Sequence, residues 1–246
     1  MTAAAAAAAV RISDDELVTA ARDLEGESPL HVLRWAAERF APRLGFGTGF
    51  GVEGCMLIDI IGRHKLPIDF FTLDTGLFFE ETYDLWRKLE ARYDVTIRAV
   101  RPELNVDQQA LVHGPELWRR VPDECCRMRK VEPLEREARK FDAWISAIRR
   151  DQTNERKNIR VIERDTRFGI IKINPLAGWN QSQVWRHVLD FEVPYNPLHD
   201  QGFPSIGCAP CTSAVAPGED PRAGRWRGSA KTECGLHVVR LGEKST

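Results

Sequence analysis

Five of the six cysteines in this 246-residue chain fall in three places far apart in sequence, and a fold that uses them must bring those places together. Cys125 and Cys126 are adjacent in PDECCRMRK, Cys208 and Cys211 form a C-x-x-C in PSIGCAPCT, and Cys234 stands alone in KTECGLH; Cys55 lies apart in an apolar run. Thiolates are soft ligands. Four of them converging from two segments make the donor set of a zinc site or an iron-sulfur cluster, leaving the fifth free for chemistry. Two plainer readings stand beside this one, since buried cysteines serve as small core residues and a C-x-x-C can be a redox dithiol. Adjacent residues strain the geometry a disulfide requires, so Cys125 and Cys126 are poorly placed to bond each other.

The length suits one large α/β domain, which needs no disulfide framework to hold its core. Lys plus Arg (35) balance Asp plus Glu (36) to a net charge of -1, so there is no global signal for nucleic acid or membrane, and any anion site must be local. No apolar run reaches transmembrane length. The opening MTAAAAAAAV lacks a basic n-region and passes into the acidic Ser13–Glu16, so residues 1–12 read as a disordered lead-in and the protein as cytoplasmic. A reducing compartment favours metal-binding or catalytic thiols over structural disulfides.

Ser13 to Glu16 forms a capping box for a helix running to about Leu24, and Ser28-Pro29 starts a second. A short strand, Leu44 to Phe46, runs into Gly45, Gly47, Gly49 and Gly51 and then into a helix carrying Met56, Leu57, Ile60 and Ile61. Such a turn at a helix N-terminus lets backbone N–H groups meet a phosphate, although tight packing explains the glycines equally well. Ile68 to Gly76 reads as a buried parallel strand with Asp74, Thr75 and Gly76 at its carboxyl end, where ligands of open α/β sheets sit. A helix over 80–93 and a strand over Val95–Val100 continue the alternation, giving a doubly wound, mostly parallel sheet.

The cysteine pair opens a charged helix that sets Lys130 on the side of Cys126, four residues on. Ala143–Ile148 reads as a strand ending in Arg149, Arg150, Asp151 and Gln152, with Arg156 and Lys157 close behind; this is an anion clamp or an ordinary basic loop. Asn180 caps a helix with Val184, Trp185, Val188 and Leu189 on one face, and a loop rich in proline and glycine then delivers the C-x-x-C. His187 and His199 are ligands in principle, but four cysteines already complete a site. Residues 13–215 thus form the domain, and 216–246 a mobile arm in which Arg222, Arg225, Arg227, Lys231 and His237 favour the Cys234 thiolate. A disordered tail with an incidental cysteine is the alternative.

Taken together, LDTG, the CC pair followed by R-x-R-K, SIGCAPCT, GEDPRAGRW and ECGLH resemble the assimilatory sulfonucleotide reductases, specifically the cluster-containing adenosine 5′-phosphosulfate (APS) reductases. The resemblance runs from about Gly45 to His237 and implies an adenine-nucleotide α-hydrolase-like (PP-loop) fold. It implies that Cys125, Cys126, Cys208 and Cys211 hold a [4Fe-4S] cluster and that Cys234 is the nucleophile. It places Lys130 between cluster and phosphosulfate, and Arg156, Arg222, Arg225 and His237 around the substrate. The turn at Gly47, Thr48 and Gly49, and the stretch from Asp74 through Thr75 to Gly76, match the family's nucleotide loops. Two departures stand out: Gly49 replaces the serine common before Phe-Gly, and the segment between GRW and ECGLH is short.

The implied chemistry is APS reduction to sulfite and AMP through a Cys S-sulfo intermediate resolved by thioredoxin or a similar dithiol. The alternatives are reduction of 3′-phospho-APS, a non-catalytic iron-sulfur nucleotide or redox sensor, and an ATP-using adenylyl transferase with a four-cysteine zinc site. Relatives that prefer the 3′-phosphate generally lack the cluster cysteines, all of which are present here. A homo-oligomer is compatible with the sequence.

Overall fold

The computed structural model describes residue 10 and residues 12–236. Six strands, β1 (Leu44–Thr48), β2 (Asp69–Leu73), β3 (Ile97–Val100), β4 (Ala143–Ile145), β5 (Ile162–Asp165) and β6 (Ile170–Ile173), make one sheet in the order β3-β2-β1-β4-β6-β5. Every neighbouring pair is parallel except β5 with β6, which closes one edge as an antiparallel hairpin. Strand order reverses between β1 and β4. The crevice beyond their carboxyl ends is therefore where a ligand of such a sheet belongs.

The sequence LGFGT of β1 explains how the sheet is covered. Leu44 and Phe46 point into the larger core with α2 (Pro29–Phe40), α3 (Val52–Arg63), α4 (Glu80–Tyr93) and α9 (Gln181–Asp190). On the other face the glycines make room: a Cβ on Gly45 would lie 2.6 Å from the Phe141 ring, and one on Gly47 2.8 Å from Phe71. Those two rings stack at 5.8 Å, nucleating a smaller core with Val100, Trp144 and Leu134 of α8 (Glu132–Ala138). Gly45 and Gly47 thus serve packing within the strand. Only Gly49 and Gly51 belong to the turn.

The remaining helices are α1 (Asp14–Asp23), α5 (Val106–His113), α6 (Leu117–Arg120) and α7 (Pro122–Cys126). The expected caps form: Ser13 with Glu16 at α1, Ser28 at α2 and Asn180 with Gln183 at α9. Three expectations are corrected. β4 stops at Ile145, although the Ser146 N–H still donates to Ile173 O of β6 (2.9 Å) and its hydroxyl donates to Asn174 (2.6 Å). Leu189 is 63% exposed, since α9 seats Val184 and Val188 instead. Of the lead-in, Val10 donates its N–H to Asp142 (2.8 Å) and Ile12 is buried, while residues 1–9 and 11 lie outside the described residues.

α3, α4 and α9 are joined by the fully buried Asp59, which accepts from His187 Nε2 (2.8 Å), Arg63 (2.9 Å) and Tyr93 (3.0 Å). Burial pushes this carboxyl up, but its three donors outweigh that and hold it below the usual range. No helix among the described residues is long and apolar enough to cross a membrane.

The glycine face of β1 yields a contrast that thermal and urea unfolding would measure. Gly45→Ala forces its methyl into a stacked ring and should cost about 1–3 kcal/mol. Gly49→Ala, where an added Cβ meets nothing within 4 Å, should stay within about 0.5 kcal/mol of wild type.

Candidate active site

The turn from β1 into α3 has a fixed shape. Thr48 Oγ1 accepts from the Phe50 N–H (3.1 Å), and Gly54 must lack a side chain because its Cβ would come within 2.7 Å of that oxygen. Phe50 itself has φ 58°, a conformation non-glycine residues rarely adopt, and its buried ring is held by stacking on Trp86 (5.5 Å). The Thr48 hydroxyl is thus engaged within the turn.

Beyond this turn lies a cavity of about 210 Å³. Gly47, Thr48 and Gly49 form its floor, and Phe71, Leu73, Phe78 and Trp144 an apolar wall. Lys130, Arg156, Arg222, Arg225 and Cys234 gather in the same lining. A second space adjoins it past the N-terminus of α3, sharing Gly49, Arg156, Arg222 and Arg225 and adding Arg149 and Gln152. One region is therefore apolar and aromatic, as a purine ring requires, and another is strongly cationic, as an anionic group requires.

The tail reaches this place by docking on the C-x-x-C loop. Thr212 and Arg225 form an antiparallel bridge, Ser213 N–H donates to Gly224 O (2.9 Å), and Trp226 N–H donates to Cys211 O (2.9 Å). Gly207 lets Arg225 lie across the loop, where its guanidinium donates to Ser205 Oγ (3.3 Å) and sits over the Trp226 ring at 4.5 Å. Arg167 then donates to the carbonyls of Gly235 and Leu236. Glu233, beside Cys234, accepts from Arg156 (2.8 Å) and lies 3.3 Å from Arg222.

Cys234 is half-buried. Burial pushes its thiol up, but Lys130, the Leu236 amide and Arg225 outweigh that and bring it below the ordinary thiol value. The other four thiols behave oppositely where they are perturbed: burial pushes Cys126 up to about 12 and Cys211 up to about 11, and raises Cys125 as well. Lys130 serves both groups. Burial would lower its pKa, yet the charges of Cys208, Cys234 and Cys126 raise it above the usual lysine range.

Cys125, Cys126, Cys208 and Cys211 line one hollow with Leu77, Trp118 and Trp226. Thr75 Oγ1 lies 3.4 Å from Cys208 Sγ, and Gln109 Nε2 donates to Cys125 Sγ (3.9 Å). Among the described residues no group of three or more His, Cys, Asp or Glu is arranged to hold a metal ion as it stands. The donor set nevertheless fits a thiophilic cluster: four thiols face a common space, and burial opposes ionisation of Cys125, Cys126 and Cys211 unless a cation is present.

Asp74, Thr75 and Gly76, expected on the nucleotide, stand instead behind the thiols and line none of the cationic cavity. Asp74 accepts from Tyr83 (2.9 Å), Arg101 (3.0 Å) and the Gly76 N–H (3.1 Å), while Thr75 O accepts from Arg129 (2.7 Å). His199 packs against Trp185 and Tyr195, and His187 is held on Asp59. His237 lies outside the described residues. Cys55 is a buried core thiol pushed upward by burial.

The family described as phosphoadenosine phosphosulfate reductase domain matches residues 44–214, which span all four thiols and the turn after β1. The chain belongs to this family. Among its relatives, adenosine 5′-phosphosulfate reductase 1 of Bacillus subtilis (strain 168) is 43% identical over 91% of this chain and 97% of its own length. Adenosine 5′-phosphosulfate reductase of Oceanobacillus iheyensis is 44% identical over 88% of this chain and 90% of its own length. The crystal structure of phosphoadenylyl-sulfate reductase from Candida auris, in a phosphate complex, superposes with a TM-score of 0.74 at 34% identity, covering 84% of this chain and all of that one. FMN adenylyltransferase of Candida glabrata shares the fold alone, at a TM-score of 0.53 and 15% identity over 81% of this chain and 66% of that one.

Several residues that line or support the cavity had no signal in the linear sequence. Trp144 lies within the apolar AWISAI, Arg129 within a run of charge and Glu233 next to Cys234, and nothing in the sequence singles them out. The alternation of side chains along β4 was the one clue, since it sends Trp144 to the face opposite Ala143 and Ile145.

Because Lys130 is the first of the groups that lower the Cys234 pKa, Lys130→Gln should raise it. Iodoacetamide labelling of the Cys234 peptide at neutral pH should slow, and the midpoint of its rate-pH profile should move upward. An unmoved midpoint would show that Lys130 does not act on the thiol.

Proposed function

We propose that this chain reduces adenosine 5′-phosphosulfate to sulfite and AMP, with Cys234 as nucleophile. The observation that carries the reading is that a thiol with a lowered pKa shares one cavity with Lys130 and three arginines, at the carboxyl end of β1. The names of the bacterial relatives support the choice of nucleotide.

The aromatic wall of Phe71, Phe78 and Trp144 would take the adenine, and Trp144 is held there by its indole N–H donating to Asp165 (3.2 Å). Lys130, Arg156, Arg222 and Arg225 would neutralise the phosphate and sulfuryl oxygens, and their effect grows as negative charge collects on the leaving phosphate. The Cys234 thiolate attacks the sulfuryl sulfur, the bond from sulfur to the phosphate oxygen breaks, and AMP departs with its electron pair. The product on the protein is S-sulfocysteine. A thiolate of a thioredoxin-like dithiol then attacks Cys234 Sγ and sulfite leaves with the electron pair of the S–S bond. The second thiol of the partner resolves the mixed disulfide, so the partner is oxidised and Cys234 returns as a thiol. Access for that partner requires the arm after the C-x-x-C loop to move.

Cys125, Cys126, Cys208 and Cys211 would hold a [4Fe-4S] cluster, which with every iron ligated by protein supplies electrostatic tuning of the Lys130 side of the cavity and a tie between two chain segments. Gln109 and Thr75 are placed to hydrogen-bond its cysteine sulfurs.

Two measurements test this reading. Incubating the protein with APS and no reductant should leave a sulfonate on the Cys234 peptide by mass spectrometry, absent in Cys234→Ser and removed by thioredoxin; release of AMP without that adduct would refute the nucleophile. Cys125→Ser should lose iron, acid-labile sulfide and visible absorbance, and should slow single-turnover adduct formation by roughly the 10²-fold typical of lost electrostatic stabilisation. An iron-free variant that formed the adduct at the normal rate would refute the tuning role, and 3′-phospho-APS winning at equal concentration would refute the substrate.

A further inference from the structure

We propose that Glu233 is a built-in counter-anion: its carboxylate occupies the arginine cradle until an anionic ligand displaces it, and that displacement frees the segment carrying Cys234. The inference rests on the reading above in one respect, that the cradle receives the anionic groups of the nucleotide.

The contacts make Glu233 a poor structural ion pair and a good placeholder. One oxygen, Oε2, takes the Arg156 Nη2 hydrogen bond at 2.8 Å and lies 3.3 Å from Arg222 Nη2, while the other, Oε1, is buried with no hydrogen-bond partner among the described residues. On the cationic side, Arg156 Nε and Arg225 Nε are buried and equally without partners. The side chains of Glu233 and Arg156 are 9% and 8% exposed, so water does little to make up the missing bonds. Leaving buried donors unmet is costly. One carboxylate thus faces two guanidiniums in a space that Arg225 and Lys130 also line, and a group with more oxygens and more negative charge would match this set better.

Glu233 and such a ligand cannot both stay. Two anions in a space shielded from water repel strongly, so the incoming group must expel the carboxylate to take its donors. The position of Glu233 gives the exchange a consequence, because it immediately precedes the nucleophile. Arg222 holds the same stretch a second time by donating to Thr232 O (2.8 Å). An anion that claims Arg156 and Arg222 therefore loosens both the side chain and the backbone on the N-terminal side of Cys234. Glu233 acts through the arginines, as a positioning residue for the thiol.

Inorganic sulfate is the probe, used with the holoprotein. Sulfate should bind Glu233→Gln about tenfold more tightly than wild type, a difference of about 1.4 kcal/mol, while Glu233→Asp, which keeps the charge, should stay near wild type. In the wild-type protein, saturating sulfate should speed amide hydrogen exchange over residues 229–236; this measurement stands even if a variant fails to fold. Equal sulfate affinity in wild type and Glu233→Gln, or exchange over 229–236 that is unmoved or slowed by sulfate, overturns the proposal. Because sulfate carries no nucleoside, a failure of APS turnover would sink the activity proposed above and leave these results standing.

Discussion

One partly buried ammonium sits between two populations of sulfur. Lys130 reaches the space lined by the four paired thiols and also the cavity of Cys234, and its charge helps the half-buried Cys234 thiol to ionise while Cys125, Cys126 and Cys211 stay costly to ionise. The chain secures this by geometry. α7 carries Cys125 and Cys126, and a turn of π-helix, Arg127–Val131, follows at once and carries Lys130. Wide turns of this kind disturb regular hydrogen bonding and are often found at functional sites. Behind them Arg129 donates to Thr75 O, Leu104 O and Gln109 Oε1, fastening the cysteine helix to the end of β2.

Much of the fold could be read directly because its signals are local. Ser13, Ser28 and Asn180 announce helix starts by a hydrogen bond that spans three residues, and the glycine turn after β1 declares itself within a dozen. The hairpin β5–β6 escaped notice for the opposite reason. Its strands carry Glu163, Arg164, Asp165 and Lys172, which look like loop until Lys172 is found buried over Trp144 beside Glu163. Burial of that kind depends on partners that arrive from elsewhere in the chain.

The candidate site divides in the same way. Cys234 and the four paired thiols were legible from spacing, and Lys130 from a helical offset that the wider turn still respects. The role of LDTG was not, since a polar turn at a strand's carboxyl end suits a nucleotide or a neighbouring loop equally well. Here Thr75 meets Cys208 and Asp74 meets Tyr83 and Arg101, pairings between residues 9 to 133 positions apart. At Gly49 the turn is held by the bond between Thr48 and Phe50, and an added Cβ would meet nothing within 4 Å.

The backbone bonds that pin Val215 to Gly202, Ser213 to Gly224 and Trp226 to Cys211 knot the first part of the tail to the C-x-x-C loop. Beyond Trp226, eight residues short of Cys234, the arm is held by side-chain contacts: Arg222 on Thr232 O, Arg156 on Glu233, and Arg167 on the carbonyls of Gly235 and Leu236. Drawn out straight, that stretch spans roughly 26–29 Å. Were those side-chain contacts released, the Cys234 sulfur would be tethered by a length about as great as a small domain is wide, with its anchorage at Trp226 unchanged.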